Sequence, residues 1–301
     1  MSSRSSDYDG TRPPGPPQFH PVRGQSVIRK WLPMIGFHHL IMIVCSITII
    51  LLSILLAGCT SSNGLSNVYL VSLQYKNAST SGLSPNDPVL VNPGIAEKVY
   101  NVSHGNSTIR EVRAGYMGLC LTLSNGARLC SGSAAALASM VKAEGIQGNN
   151  TGAGDPLNLI WIAQNFKEKI VFDGLIFIAV VLTFLCFILL ATFPGWHEEI
   201  DEDGSEREVK PFPSWTVMQV TLGLSALGFM FGLVSVFWQH VNSSAAGTMS
   251  ESLTYGAVDG HVGTAAMIIG WAAVVCLGIV ALALLIMILS IRILRKLTDE
   301  E

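Results

Sequence analysis

Four long runs of apolar residues alternate with polar segments along the chain. The runs cover residues 31–58, 170–193, 214–238 and 263–291. Each run reaches the roughly 20 residues that a helix needs to cross a bilayer. Basic residues stand where the first run begins and where the fourth ends: Arg23, Arg29 and Lys30, then Arg292, Arg295 and Lys296. Because lysine and arginine favour the cytosolic side, the pattern predicts four transmembrane helices with both termini in the cytosol.

This topology assigns a side to every polar segment. We expect residues 1–30 to be a disordered cytosolic tail, residues 194–213 an acidic cytosolic loop, and residues 292–301 a second cytosolic tail. Residues 59–169 form a large extracellular domain, and residues 239–262 a second outer loop. Both outer segments contain Asn-x-Ser/Thr patterns, which are glycosylation acceptors on exported segments. The predicted acceptors are Asn77, Asn101, Asn106, Asn149 and Asn242.

The large outer segment contains a predicted β-hairpin closed by a cystine. Two apolar-rich runs flank Ser124-Asn125-Gly126, and Asn-Gly favours the positive φ angles of a tight turn. A three-residue loop with Gly126 in the left-handed conformation places Cys120 directly opposite Cys130, within disulfide range. A two-residue Asn-Gly turn would offset the cysteines by one position. With strands expected at residues 68–75 and 108–113, the sequence predicts a four-helix membrane bundle carrying a disulfide-stapled extracellular β-sheet domain.

Composition agrees with a membrane protein. Half of the 301 residues are hydrophobic, only 13% are charged, and the mean hydropathy is +0.46. Soluble domains carry about 25% charged residues. Of the six cysteines, Cys45, Cys186 and Cys276 lie inside apolar runs, where a thiol behaves as a small hydrophobe. No pattern typical of nucleic-acid binding is present.

The spans contain few residues that could move a charge, catalyse a reaction or bind an ion. No Asp, Glu, Lys or Arg lies in the central part of any span, although proton-coupled transporters and voltage sensors use such residues. No nucleophile, base and orienting group stand together, so neither an enzyme nor a cofactor is expected. Asp173 and Asp259, the latter near His261, are weak candidates for calcium ligands, with hydration at the membrane edge as the competing interpretation. Gly228 and Gly232 predict close helix packing, within the chain rather than between copies.

One motif connects these features to a known family. The motif is Gly-Φ-Φ-Gly-x-Cys with a second cysteine downstream, formed here by Gly115, Tyr116, Met117, Gly118, Leu119, Cys120 and Cys130. With four spans, a large first outer loop and a small second one, the chain resembles the claudin superfamily. It is most similar to the fungal calcium-regulator and membrane-fusion family, the mating-factor-induced proteins of low-affinity calcium uptake. Vertebrate claudins are less similar, because Met117 and Gly118 stand where claudins have a tryptophan before the first cysteine.

The resemblance implies a plasma-membrane protein that regulates calcium influx and promotes cell fusion during mating. Two alternatives stay open, a pore-forming calcium-channel subunit and a claudin-like adhesion protein or membrane-domain organiser. The expected partners are the lipid bilayer, calcium-channel components or a second copy of the chain, and calcium. No nucleic-acid partner is expected.

Overall fold

The structure is a computed structural model that describes residues 37–62, 64–76, 92–103, 108–143, 154–193, 197–200, 206–209 and 214–299. The helices in these residues are α1 (Phe37–Leu56), α2 (Pro93–Ser103), α3 (Ala134–Ala143), α4 (Leu159–Lys169), α5 (Gly174–Ala191), α6 (Trp215–Leu253) and α7 (Thr264–Asp299). The strands are β1 (Val71–Tyr75), β2 (Ile109–Ala114), β3 (Leu119–Leu123), β4 (Arg128–Ser131), β5 (His197–Ile200), β6 (Glu206–Val209) and β7 (Val258–Val262).

Helices α1, α5, α6 and α7 have the length and the apolar composition needed to cross a membrane. They form a ring in which α1 packs on α5 and α7, and α6 packs on the same two helices. The glycines of the GxxxG spacing lie inside this ring. Gly228 packs against Thr183 and Leu182 of α5, whereas Gly232 packs against Leu277 of α7. Both glycines therefore serve helix packing within the chain.

Strands β1, β2, β3, β4 and β7 form one antiparallel sheet in the order β4-β3-β2-β1-β7. Four strands come from the segment between α1 and α5, as the sequence predicts. The fifth, β7, comes from the segment between α6 and α7 and pairs along the whole of β1, from Val71↔Val262 to Tyr75↔Val258. The five strands together with α2, α3 and α4 are called the sheet domain below.

The segment after the third span differs from the loop that the sequence predicts. Helix α6 continues without interruption past the predicted span end at residue 238 to Leu253, and only a short turn separates it from β7. Residues 239–253 are called the extended part of α6 below. Ser243 and Gly247 are buried on this extension, and the carbonyl oxygen of Gly260 lies 3.0 Å from the position that a Cβ on Gly247 would take. Residues four apart lie on the same face of a helix, so these two small residues let α6 pack closely against β7. This packing stabilises a helix in a segment whose sequence is polar.

Two further features concern the segments on either side of the second span. Helix α4 ends at Lys169, and a new helix begins at Gly174, so no single helix runs from the sheet domain into the second span. The break is marked by a bond from the amide of Val171 back to the carbonyl of Phe166. The segment predicted as an acidic loop contains an antiparallel pair, β5 and β6.

One hydrophobic core joins the sheet domain to the nearer half of the bundle. It contains sheet residues such as Leu73, Val112 and Leu121, together with Leu55 of α1 and Leu277 of α7. A second cluster fills the half of the bundle far from the sheet, with Ile41, Cys45, Cys186, Leu190 and Leu284 among its members. The sheet domain is therefore packed onto the spans through a shared core and is not tethered by linkers alone.

Candidate functional site

The candidate site is the place where the first span meets the Gly-Φ-Φ-Gly-x-Cys motif, called the sheet–span junction below. Helix α1 ends in a tight turn in which the amide of Thr60 donates to the carbonyl of Ala57, at 3.2 Å. Cys59 in this turn has φ +59°, a left-handed conformation that non-glycine residues seldom adopt and that commonly follows a helix end. Its side chain is fully buried. The packing around Cys59 therefore holds the turn in shape.

Both glycines of the motif press against this turn. A Cβ on Gly118 would overlap the carbonyl of Cys59 and would lie 2.8 Å from the amide nitrogen of Thr60. A Cβ on Gly115 would overlap the carbonyl oxygen of Gly58 and would lie 2.9 Å from its carbonyl carbon. These neighbours are backbone atoms, which cannot rotate away as a flexible side chain would. The motif thus requires glycine at both positions, because its backbone packs directly against the backbone at the end of the first span.

The motif itself is a tight turn between β2 and β3. The amide of Gly115 donates to the carbonyl of Gly118 at 2.9 Å. The turn directs Tyr116 into the core, where only 3% of its surface is exposed, and leaves Met117 49% exposed. Burial raises the pKa of the Tyr116 phenol, the adjacent Ser235 hydroxyl of α6 lowers it in part, and the charge of Asp173 raises it further. Tyr116 therefore connects the motif to the third span.

The cystine lies on the other side of the same turn. The register of β3 and β4 places Cys120 opposite Cys130, and a disulfide joins them with their Cα atoms 4.1 Å apart. The loop is Ser124, Asn125 and Gly126, and Gly126 has φ +84°. Cys120 Sγ lies 3.5 Å from the carbonyl oxygen of Cys59. The disulfide therefore fixes the hairpin whose first strand begins at the junction.

Cys59 is a free cysteine next to this disulfide. Its thiol contacts the carbonyl oxygen of Val68 at 3.5 Å, and burial raises its pKa to about 12, an effect that the charge of Arg113 partly opposes. A thiol with a raised pKa and no exposure to solvent is chemically inert. Cys59 is therefore a packing residue at the junction. The sequence does not show that Cys59 contacts the motif, because there it is a single cysteine at the end of an apolar run.

Arg113 is a second residue of the junction that sequence reasoning missed. Its guanidinium bonds to Glu111 at 2.7 Å and donates to the backbone carbonyl of Ser66 at 3.1 Å and to the side chain of Asn67 at 3.0 Å. It also stacks 4.8 Å from the centre of the Tyr69 ring, a favourable cation–π position. The available signal was the alternation Glu111-x-Arg113, which places both charges on one face of β2. Arg113 thereby ties the segment that follows the first span to the sheet.

The weak calcium candidates are not assembled into one site. Asp259 and His261 lie on the same face of β7, with Oδ2 and Nε2 3.3 Å apart. Asp173 precedes the first turn of α5. Within the described residues, no group of three or more His, Cys, Asp or Glu side chains could hold a metal ion. Calcium takes six to eight oxygen ligands, so these three residues do not make a calcium site by themselves.

The predicted glycosylation acceptors fall into two groups. Asn77, Asn106 and Asn149 lie outside the described residues. Asn101 is exposed on α2. Asn242 lies on the extended part of α6, where its side-chain amide donates to the carbonyl of Trp238 at 2.8 Å.

A family model matches residues 96–290, which is more than half of the chain, and its description is Ca2+ regulator and membrane fusion protein Fig1. The chain belongs to the Fig1 family. The protein is accordingly a Ca2+ regulator and membrane fusion protein, as the resemblance in the sequence implies, and its four apolar helices indicate a multi-pass membrane protein. No curated protein and no solved structure matches the chain. The matched range contains the whole glycine and cysteine motif, the second and third spans and most of the fourth, whereas α1 and β1 precede it.

Proposed function

We propose that this Fig1 protein regulates low-affinity calcium influx and cell fusion at the plasma membrane during fungal mating, without forming the calcium pore itself. In this proposal residues 59–169 and 239–262 face outward, and the acidic segment 194–213 and both termini face the cytosol. The sheet domain is claudin-like and lies in an oxidising compartment, where a disulfide such as Cys120–Cys130 persists. Asn101 and the other predicted acceptors would then be available to glycosylation.

The observation that supports the regulator proposal is that the bundle interior contains an apolar cluster and that four of its buried hydroxyls are hydrogen-bonded within their own helices. Four buried hydroxyls in the spans each donate to a carbonyl of their own helix at 2.7–2.9 Å, namely those of Thr48, Thr183, Thr221 and Ser225. An apolar cluster that includes Ile41, Leu190 and Leu284 fills the half of the bundle far from the sheet. No acidic or basic residue lies in the central part of any span. Ion pathways are usually lined with carbonyl oxygens or charged rings that replace the water around the ion, and this bundle presents neither feature in the described spans.

The junction supplies a route by which the sheet domain can act on the spans. The motif contacts the end of α1 through Gly115 and Gly118, and Tyr116 contacts α6 beside Ser235. A partner that binds the sheet domain would therefore act on two spans at once. This arrangement suits a regulator whose outer domain senses or recruits a channel component.

The experiment compares mating cells that lack the protein with cells that express the intact chain or Gly118→Ala. Loss of the chain is expected to lower stimulus-evoked calcium entry and cell fusion, and the intact chain is expected to restore both. Gly132→Ala is the matched control, because only the carbonyl oxygen of Met117, 4.0 Å away, lies near its added methyl group. Calcium entry that does not depend on the protein, with fusion still lost, would refute the regulator proposal and favour the membrane-domain organiser.

A further inference from the structure

An apolar groove runs along the sheet domain between α4 and the extended part of α6. Its volume is about 340 Å³, and its lining includes Val71, Leu73, Ile162, Phe166, Met249 and Leu253. The strand residues and Phe166 are buried and form the floor. At the rim, Met249 is 60% exposed and Leu253 is 77% exposed. Contiguous exposed apolar surface of this kind is characteristic of a binding site.

The groove begins beside the ends of the second and third spans. Ile170 lines its lower end, and the carbonyl of Ile170 accepts a bond from the indole nitrogen of Trp238 at 3.3 Å. Trp238 is more than half exposed, and exposed tryptophans at span ends favour the level of the lipid headgroups. Met249 follows Trp238 by eleven helical residues, a rise of about 17 Å. The groove therefore leads from the membrane surface upward along the sheet domain and is continuous with the surface that faces the bilayer.

The charge at the groove entrance complements a lipid headgroup. Lys169 is exposed and lines the groove beside Ile170. An ammonium group at this depth can pair with a phosphate oxygen. The floor offers no free strand edge for a peptide, because β1 is paired on both sides, with β2 and with β7. Among the described residues of the lining, the polar side chains besides Lys169 are those of Asn165 and Ser250.

We propose that this groove binds one acyl chain of a phospholipid from the adjacent leaflet, with Lys169 beside the phosphate group. A chain that leaves the bilayer exposes apolar surface to water, and the groove removes that surface from water again. The protein would thus hold a lipid with its two chains splayed apart, next to the spans. This binding site extends the family's role in membrane fusion to a specific lipid contact and does not depend on whether the protein regulates or conducts calcium.

The test uses the full chain, purified and reconstituted into phosphatidylcholine vesicles. The probe is phosphatidylcholine with a photoreactive diazirine at the end of one acyl chain, present in both leaflets so that protein orientation does not matter. After irradiation, mass spectrometry is expected to find the probe on peptides of residues 159–170 and 246–253 as well as on the spans. The double variant Met249→Gln, Leu253→Gln is expected to lose at least fivefold of the groove labelling, with span labelling unchanged as the internal reference.

Met140→Gln is the matched control, because Met140 is 40% exposed on α3 and does not line the groove. Lys169→Gln is expected to lower labelling by the phospholipid probe and to leave labelling by a diacylglycerol probe unchanged. Labelling confined to the spans, or equal groove labelling in the double variant and the wild type, would overturn the proposal. If a bifunctional lysine crosslinker, used on the same vesicles without irradiation, joined two copies through the groove peptides, the proposal would be overturned in favour of a dimer interface.

Discussion

The substitution Gly118→Ala tests whether the motif packs backbone to backbone against the end of the first span. The added methyl group would overlap the carbonyl of Cys59 and lie 2.8 Å from the amide nitrogen of Thr60. Adding a methyl group to a well-packed site costs about 1–3 kcal/mol. We expect the upper end of that range, because the atoms that must move belong to two backbones and not to flexible side chains. A loss of about 3 kcal/mol is a large part of the 5–15 kcal/mol that stabilises a typical domain.

The measurement is the rate at which a maleimide labels Cys59, quantified by peptide mass spectrometry on the purified chain. Cys59 is fully buried, so labelling requires that the junction opens. If Gly118→Ala destabilises the closed junction by about 3 kcal/mol, the open fraction and the labelling rate rise roughly 100-fold. Gly132→Ala, with no atom closer than 4.0 Å to its methyl group, is expected to label as the wild type does. Labelling of Gly118→Ala at the wild-type rate would refute the contact described here.

Three further predictions concern the same domain. Replacing both Cys120 and Cys130 by Ser is expected to cost about 2–3 kcal/mol for so short a loop and to reduce surface delivery; normal surface levels with function lost would instead make the hairpin a contact site. Asp155→Ala removes the hydrogen bonds that the amides of Leu159 and Ile160 and the Tyr75 hydroxyl donate to this carboxylate, at 2.8–3.0 Å. The first-turn amides of α4 should therefore exchange hydrogen faster in this variant. Asp259→Asn, as the control, should leave their exchange rates unchanged. Burial raises the pKa of Cys59 to about 12, against the usual 9, so above pH 9 the unfolded chain loses this proton before the folded chain does, and the free energy of unfolding falls as the pH rises from 9 towards 12. The unfolding temperature should therefore fall more steeply from pH 9 to 10 in the wild type than in Cys59→Ala; equal slopes would contradict the burial of this thiol.

Local patterns were sufficient to predict much of this fold. The four apolar runs predict helices that begin or end within a few residues of the observed bounds at most span ends, because span length is set by bilayer thickness. The hairpin was predictable because Ser124-Asn125-Gly126 gives the loop, and the position of two cysteines then fixes the register. The glycines of the GxxxG spacing were predictable only as packing residues, and their partners, Thr183 of α5 and Leu277 of α7, depend on the helix ring.

Contacts between distant segments could not be predicted in the same way. Strand β7 is short and contains Asp259, Gly260 and His261 between two valines, so its sequence alone gives no clear strand signal. It forms because β1 offers a free edge and because the extended part of α6 packs on it through Gly247 and Gly260. The contact between Gly118 and Cys59 joins residues 59 positions apart, and nothing in the local sequence of either one identifies the other. These long-range contacts are the ones that build the junction.

Calcium flux through the purified chain alone tests the central claim most directly. The full chain would be reconstituted into vesicles that contain a fluorescent calcium indicator, and calcium would be added outside with a membrane potential imposed. Because an apolar cluster fills the half of the bundle far from the sheet and no charged residue lies in the central part of any span, we predict a fluorescence rise no faster than in protein-free vesicles. A calcium flux that increases with the amount of protein and requires no partner would contradict a regulator and make this chain a channel.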